Sequence, residues 1–279
     1  MRETEEKNVL DFLSRVSAYW ASLPGMHLLV FTLVIWAAFS LVLLADARNQ
    51  LNQWCFTGGM MFSVGALKEY LYYGLAPSLI ASGIWTQAGA SLMYSVLSAA
   101  FYLLAIPCVM MFAFYFAQLN QTRFFPLLRV VVWLPAVCLS VRFPPDRVAS
   151  LQRDPVFCLS IAGYNVLFGL IATLILLHAL WMERHGGHNR QRRLVAVSVL
   201  LPLWVWLVAA FPYHALGIPH LDKIWQIELP VVLFTLCFLL YHAFREGIWG
   251  MRLRRETYDW SGSGEVLQRN TQYVAHALK

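Results

Sequence analysis

The sequence predicts an all-α membrane protein: a polytopic bundle of about seven transmembrane helices, followed by a cytoplasmic helix. Of its 279 residues, 59% are hydrophobic and 13% are charged, whereas soluble globular domains carry about 25% charged residues. The mean hydropathy is +0.57, and the apolar residues are gathered into long runs separated by short polar segments. This pattern is typical of helices that cross a bilayer and loops that lie outside it, so a soluble class is excluded.

Residues 1–24 form a polar N-terminal segment ahead of the bundle. Four of its apolar residues recur at helical spacing, which predicts a short amphipathic helix on the membrane surface: Val9, Leu13, Val16 and Trp20. The segment has neither the basic start nor the short apolar core of a cleaved signal peptide.

Residues 25–245 form the predicted seven-helix transmembrane domain. The expected spans are about 26–45, 54–77, 90–117, 124–141, 155–181, 194–216 and 224–244. A run of about 20 apolar residues is long enough to cross the roughly 30 Å hydrocarbon core of a bilayer. The first span contains no charge, whereas Lys68 and Glu69 interrupt the second.

The basic residues predict the orientation of the bundle. If residues 246–279 lie inside the cell, the inner segments carry more arginine and lysine than the outer segments, which is the usual bias. We therefore expect a multi-pass protein of the cytoplasmic membrane, with its N-terminus outside and its C-terminus in the cytoplasm. The net charge of +6 is spread over these loops, so the lipid bilayer, and not nucleic acid, is the expected partner.

Three charged residues inside predicted spans are candidate ligand-sensing residues: Lys68, Glu69 and Glu228. Neighbouring residues on a helix point about 100° apart, so Lys68 and Glu69 are predicted not to neutralise each other well. Each would then need a partner on another helix, and Glu228 is one candidate. The functional interpretation is a polar ligand pocket or gate in the outer half of the bundle. The alternative is a shorter second span that leaves both charges among the lipid headgroups.

The histidines and cysteines do not predict a metal or haem site. The five cysteines lie singly in apolar runs with no Cys-x-x-Cys pair, as expected of small hydrophobic residues. His214 and His220 share no helix face, so a metal site would need other ligands. His178 and His242 have the position of axial haem ligands, but single membrane histidines more often make interhelical hydrogen bonds. We therefore expect no metal ligand in this chain.

Residues 246–279 form the predicted cytoplasmic linker and the start of a partner-seeking helix. Gly262 and Gly264 weaken any helix in the linker, because each glycine costs about 0.5–1 kcal/mol relative to alanine. Beyond them, apolar or small residues recur at alternating spacings of four and three along one stripe: Leu267, Thr271, Val274 and Leu278. His276 lies about 180° from this stripe and is predicted to face solvent.

The segment 273–279, which reads Tyr-Val-Ala-His-Ala-Leu-Lys, resembles the start of the phospho-acceptor box of bacterial sensor histidine kinases. The resemblance is to those members with seven membrane helices in the sensor and a box that reads His-x-x-Lys followed by Asn-Glu. Arg-Arg-Glu-Thr at 254–257 adds to it. It implies that residues 25–245 are the sensor domain, that His276 is the phospho-acceptor, and that Lys279 belongs to the acceptor box.

The resemblance also implies partners and cofactors. It implies a homodimer that pairs through the apolar stripe, a cognate response regulator, and ATP and Mg bound by a separate catalytic domain. Nothing in the chain resembles the Asn-rich and Gly-rich nucleotide boxes of the family, so we expect a chain truncated at the acceptor box, without cofactor or kinase activity of its own. Ala277 stands where many histidine kinases carry an acidic residue, which leaves the general base open.

A second hypothesis comes from a different class of protein. The chain would then be a small polytopic transporter or channel component, in which Lys68, Glu69 and Glu228 line a path through the bundle. A reading frame that continues past Lys279 into Asn-Glu and an ATP-binding domain would favour the histidine kinase.

Overall fold

The computed structural model describes residues 25–152, 154–182, 189–216 and 228–246, and every regular element in them is helical. This confirms the predicted all-α class for the described residues. The helices are α1 Met26–Ala45, α2 Gln50–Glu69, α3 Ala76–Ala81, α4 Gln87–Phe116, α5 Phe125–Arg142, α6 Val148–Leu151, α7 Pro155–Met182, α8 Asn189–Leu216 and α9 Glu228–Glu246. A π-helical segment, Tyr70–Leu75, joins α2 to α3, and single 3₁₀ turns lie at Leu119–Gln121 and Pro145–Arg147.

Four helices are long and apolar enough to cross a membrane: α1, α4, α5 and α7. They lie at the first, third, fourth and fifth predicted spans, and they indicate a membrane protein. The second span falls on α2, which carries polar residues at both ends, and the seventh falls on α9, whose apolar stretch is Leu229–Tyr241. The sixth falls on α8.

Six of the long helices pack side by side in a closed circuit. In it, α1 contacts α2, α2 contacts α4, α4 contacts α7, α7 contacts α8, α8 contacts α9, and α9 contacts α1 again. Helix α5 lies outside the circuit against α4. The start of α8 is held to the end of α4, because Arg192 donates a hydrogen bond to the carbonyl of Phe116. The Arg192 guanidinium also lies 4.5 Å from the Phe116 ring centroid, and a cation is favourable at a helix C-terminus.

Helices α1 and α2 approach each other closely at a glycine. A Cβ atom at Gly59 would overlap the Phe39 ring on α1. Trp36 Nε1 on α1 also donates a 2.7 Å hydrogen bond to Ser63 Oγ on α2. Close approach at small residues and hydrogen bonds across the seam are how membrane helices associate, since lipid tails are as apolar as leucine side chains.

Candidate functional site

The two charges of α2 form an ion pair with each other. Lys68 Nζ lies 3.1 Å from Glu69 Oε1, so the prediction that these neighbours would not neutralise each other is wrong. The Cβ directions diverge as expected, but the long lysine stem bends back to the neighbouring carboxylate. Helix α2 passes directly into the π-helical segment and α3, so the helical run continues from Gln50 to Ala81, and the shorter-span alternative stays a prediction. Lys68 is 4% exposed and therefore lies inside the helical bundle.

Tyr94, on α4, contacts both members of the ion pair. Its hydroxyl donates a 2.8 Å hydrogen bond to Glu69 Oε1 and accepts a 3.3 Å hydrogen bond from Lys68 Nζ. One carboxylate oxygen therefore receives both the ammonium group and the phenol. Breaking a buried ion pair by removing one partner typically costs about 3–5 kcal/mol, because the other charge is left uncompensated. The two hydrogen bonds of Tyr94 tie the end of α2 to α4.

Aromatic rings enclose the ammonium group of Lys68. Its Nζ atom lies 4.6 Å from the centroid of the Tyr94 ring and 5.3 Å from that of the Tyr102 ring. Both distances are within the range of cation–π attraction, which is worth about 2 kcal/mol or more when the cation is desolvated. We call Lys68, Glu69, Tyr94 and Tyr102 the charge cluster.

The π-helical segment after α2 covers the cluster on the side of Glu69. The Tyr72 and Tyr73 rings lie 4.7 Å and 6.3 Å from the Tyr94 ring, measured between centroids. Tyr73 is 60% exposed, and the Glu69 side chain is 17% exposed. The cluster is thus closed around Lys68 and partly open at Glu69. π-Helical turns within α-helices occur frequently at functional sites.

Tyr94 and Tyr102 were missed as site residues by the sequence analysis. They follow the polar pattern Tyr94, Ser98, Tyr102, in which each residue lies four after the last, so all three share one face of α4. A polar stripe on an otherwise apolar span predicts a face turned towards protein, and this signal could have found them.

Glu228 is the first residue of α9, but its side chain lies outside the described residues. Its neighbour Leu229 packs against the same small core as Tyr70, which follows Glu69. This core contains Leu28, Phe31, Ile35, Ala38, Ala66 and Leu236. Helix α9 therefore shares a core with the residue that follows Glu69, while contact between Glu228 and the charge cluster stays a prediction.

The tail residues His276, Lys279, Gly262 and Gly264 lie outside the described residues. His178 lies near the end of α7, with its ring 6.4 Å from the Trp181 ring. Among the residues that the structure describes, no three His, Cys, Asp or Glu side chains converge as a metal site would require. Comparison with known proteins found no matching family model, no matching curated protein and no matching solved structure.

Proposed function

We propose that this chain is the membrane sensor module of a two-component histidine kinase, which passes a stimulus from the helical bundle to His276. The observation that carries the proposal is the charge cluster. Ionisable residues inside membrane helices are costly and usually mark a function. Lys68 and Glu69 form such a pair at the packed end of α2. The resemblance of the tail to a phospho-acceptor box suggests the reaction that the charge cluster would control, which is phosphorylation of His276.

A packed route leads from the charge cluster towards the tail. Tyr70 follows Glu69 directly and packs against the small core that also receives Leu229, Val232 and Leu233 of α9. Helix α9 in turn leads into residues 247–279. In this proposal, a rearrangement of the Lys68–Glu69 pair displaces α9 through that shared core. Discrete shifts of packed helices are a known way to carry signals between sites.

In this proposal the tail passes the displacement to the acceptor. Gly262 and Gly264 would be the adjustable joint of the linker, and replacing both with alanine should lock the kinase towards one signalling state. A neutral imidazole nitrogen of His276 would attack the γ-phosphorus of ATP, forming a P–N bond as the P–O bond to ADP breaks. The proposal includes a homodimer, a cognate response regulator and a catalytic domain that binds ATP and Mg.

The surroundings of Lys68 favour a sensor over a transport path. A residue that lines a path must face a cavity that water or substrate can enter. Lys68 is instead 4% exposed, paired with Glu69 and covered by two tyrosine rings. The transporter or channel alternative therefore gains no support from this residue.

Radiolabelling of the full-length protein tests whether His276 is the phospho-acceptor. Wild-type protein in membranes should incorporate phosphate from [γ-³²P]ATP, and His276→Gln should abolish the label. His178→Gln is the matched control, because His178 lies in α7 near Trp181, and it should keep the label. Full labelling of His276→Gln would show that the acceptor assignment is wrong.

Reporter fusions test the proposed topology of seven spans. Ser150 lies in the segment before α7, and Asn189 begins α8. Because α7 is 28 residues long and apolar enough to cross a membrane, fusions at these two residues should report opposite sides. The expected result is alkaline phosphatase activity for the fusion at Ser150 and none for the fusion at Asn189. Activity in both fusions, or in neither, would contradict the topology.

A further inference from the structure

A cavity of about 90 Å³ lies inside the helical circuit, between α1, α2 and α4 on one side and α8 and α9 on the other. We call it the inner cavity. Its walls include Phe39, Phe62, Cys108, Phe112, Leu203 and Leu236. Lining side chains such as Trp54 and Pro202 are only half-buried, so the inner cavity communicates with the outside of the bundle.

The walls offer almost nothing for a polar molecule to bind. The two hydroxyl groups in the lining belong to Ser198 and Thr235. Each donates its proton to the carbonyl four residues earlier in its own helix, at 2.8 Å and 2.7 Å. A buried water needs two to four polar partners, and apolar cavities without them stay dry or take apolar molecules.

A bilayer crossed by α1, as its length and composition allow, places the inner cavity at the depth of the hydrocarbon core. Ile35 and Phe39 line the inner cavity, and they lie at the middle of the 20-residue helix α1. A helix of this length just spans the core, so its middle residues lie near the bilayer centre. The ends of lipid acyl chains meet at that depth. The molecules most concentrated beside the inner cavity are therefore hydrocarbon chain ends.

Two adjacent glycines of α2, Gly58 and Gly59, differ in whether helix packing requires them, and the difference bears on why the inner cavity is open. A Cβ at Gly59 would overlap Phe39, so Gly59 is needed for the contact between α1 and α2. A Cβ at Gly58 would meet only Cys108 Cβ, at an ordinary contact distance of 3.8 Å. Glycine in a helix interior is destabilising by roughly 0.5–1 kcal/mol relative to alanine. Gly58 therefore leaves a volume that a side chain could fill.

We propose that the inner cavity binds the end of one acyl chain of a membrane lipid. Its volume is smaller than the roughly 150 Å³ of an engineered apolar cavity that accepts benzene, so it suits a few methylene groups. Four of its lining residues belong to α9: Val232, Thr235, Leu236 and Leu239. This binding site does not depend on the proposed kinase function.

Photolabelling in nanodiscs tests the site. The full chain is reconstituted in phosphatidylcholine that carries a diazirine near the end of one acyl chain, irradiated, digested and mapped by mass spectrometry. Cys108 and Phe112 are each 2% exposed, so lipid around the bundle cannot reach them. We expect adducts on these residues as well as on the exposed Leu134 of α5. Adducts on Leu134 without any on Cys108 or Phe112 would overturn the proposal.

A cavity-filling variant makes the test specific. Gly58→Leu should lose the adducts on Cys108 and Phe112 and keep those on Leu134. Gly163→Leu is the matched control, because Gly163 is exposed on α7 and an added Cβ there meets nothing within 4 Å; it should keep all adducts. If Gly58→Leu does not fold, Gly58→Ala serves instead and should give a partial loss. Unchanged cavity adducts in a folded Gly58 variant would overturn the proposal.

Discussion

Helices α4 and α5 are neighbours in the chain and are both apolar enough to cross a membrane, but they have opposite places in the bundle. In the most apolar 18-residue window of α4, 78% of the residues are buried, against 11% for α5. The mean hydropathy of this window is 2.2 in α4 and 1.6 in α5, but hydropathy alone does not decide which helix is buried, since lipid tails are as apolar as leucine side chains. Their difference must come from groups that make specific contacts.

The polar residues of the two helices supply this difference. On α4, Tyr94 holds the Lys68–Glu69 pair, and Ser95 Oγ accepts a 3.1 Å hydrogen bond from the backbone N–H of Ala149. On α5, Arg129 is exposed, and the outward-facing residues are mostly valine and leucine. Side chains that bond across helices therefore mark the central helix, and a uniform apolar surface marks the lipid-facing one.

The largest effect should come from removing one charge of the cluster. Glu69→Ala leaves Lys68 buried without its carboxylate and should lower the free energy of unfolding by about 3–5 kcal/mol. Arg129→Ala removes an exposed charge from α5 and should change it by about 0.5 kcal/mol at most. Unfolding in mixed micelles, followed by circular dichroism, measures both.

The double variant Lys68→Met/Glu69→Gln separates charge from packing. Because it leaves no unpaired charge, its loss should be clearly smaller than that of Glu69→Ala. Equal losses in the two variants would mean that the ion pair is not the source of the effect.

A smaller effect is expected from the hydroxyl of Tyr94. Tyr94→Phe keeps the ring over Lys68 and removes the hydrogen bonds to both charges, so it should cost about 1.5–3 kcal/mol. Tyr73→Phe is the control, since Tyr73 is 60% exposed, and it should stay within about 0.5 kcal/mol of wild type. The same unfolding measurement applies. An unchanged free energy of unfolding in Tyr94→Phe would show that the Tyr94 hydroxyl does not stabilise the charge cluster.

The smallest loss of stability is expected from substitutions within α5, and these substitutions test its position at the edge of the bundle. Val132 is 1% exposed and Val131 is 49% exposed. Val132→Ala should cost about 1–3 kcal/mol, because it opens a cavity at the contact with α4. Val131→Ala faces lipid and should cost no more than about 0.5 kcal/mol. Similar losses for the two would indicate that α5 packs differently against α4.

Most helix positions could be predicted from the sequence because charges and prolines end the apolar runs. The first span was predicted at 26–45, and α1 is Met26–Ala45. The apolar runs alone place the starts of α2 and α4 too late, because the polar capping residues lie outside these runs. Asn49 accepts a hydrogen bond from the Leu51 N–H, and Thr86 accepts one from the Gly89 N–H. Both are ordinary N-cap signals that a sequence shows.

The geometry of the candidate site could be predicted only in part. Charges inside spans single out Lys68 and Glu69, which form a buried ion pair, because burial of an ionisable residue in a membrane needs a reason; their role in sensing stays a prediction. The charge pattern does not predict the π-helical turn at Tyr70–Leu75, which places the Tyr72 ring 4.7 Å from the Tyr94 ring. The inner cavity was equally out of reach, because it arises where five helices fail to fill a shared space.

Phosphorylation of the full-length protein in nanodiscs directly tests the proposal that the Lys68–Glu69 pair controls His276. The Lys68→Met/Glu69→Gln variant should differ from wild type in steady-state phosphate on His276 by about fivefold or more, the range of a typical coupling free energy. Val131→Ala, on the lipid-facing side of α5, should match wild type. Equal phosphorylation of wild type and a correctly folded double variant would contradict this control of His276 by the Lys68–Glu69 pair.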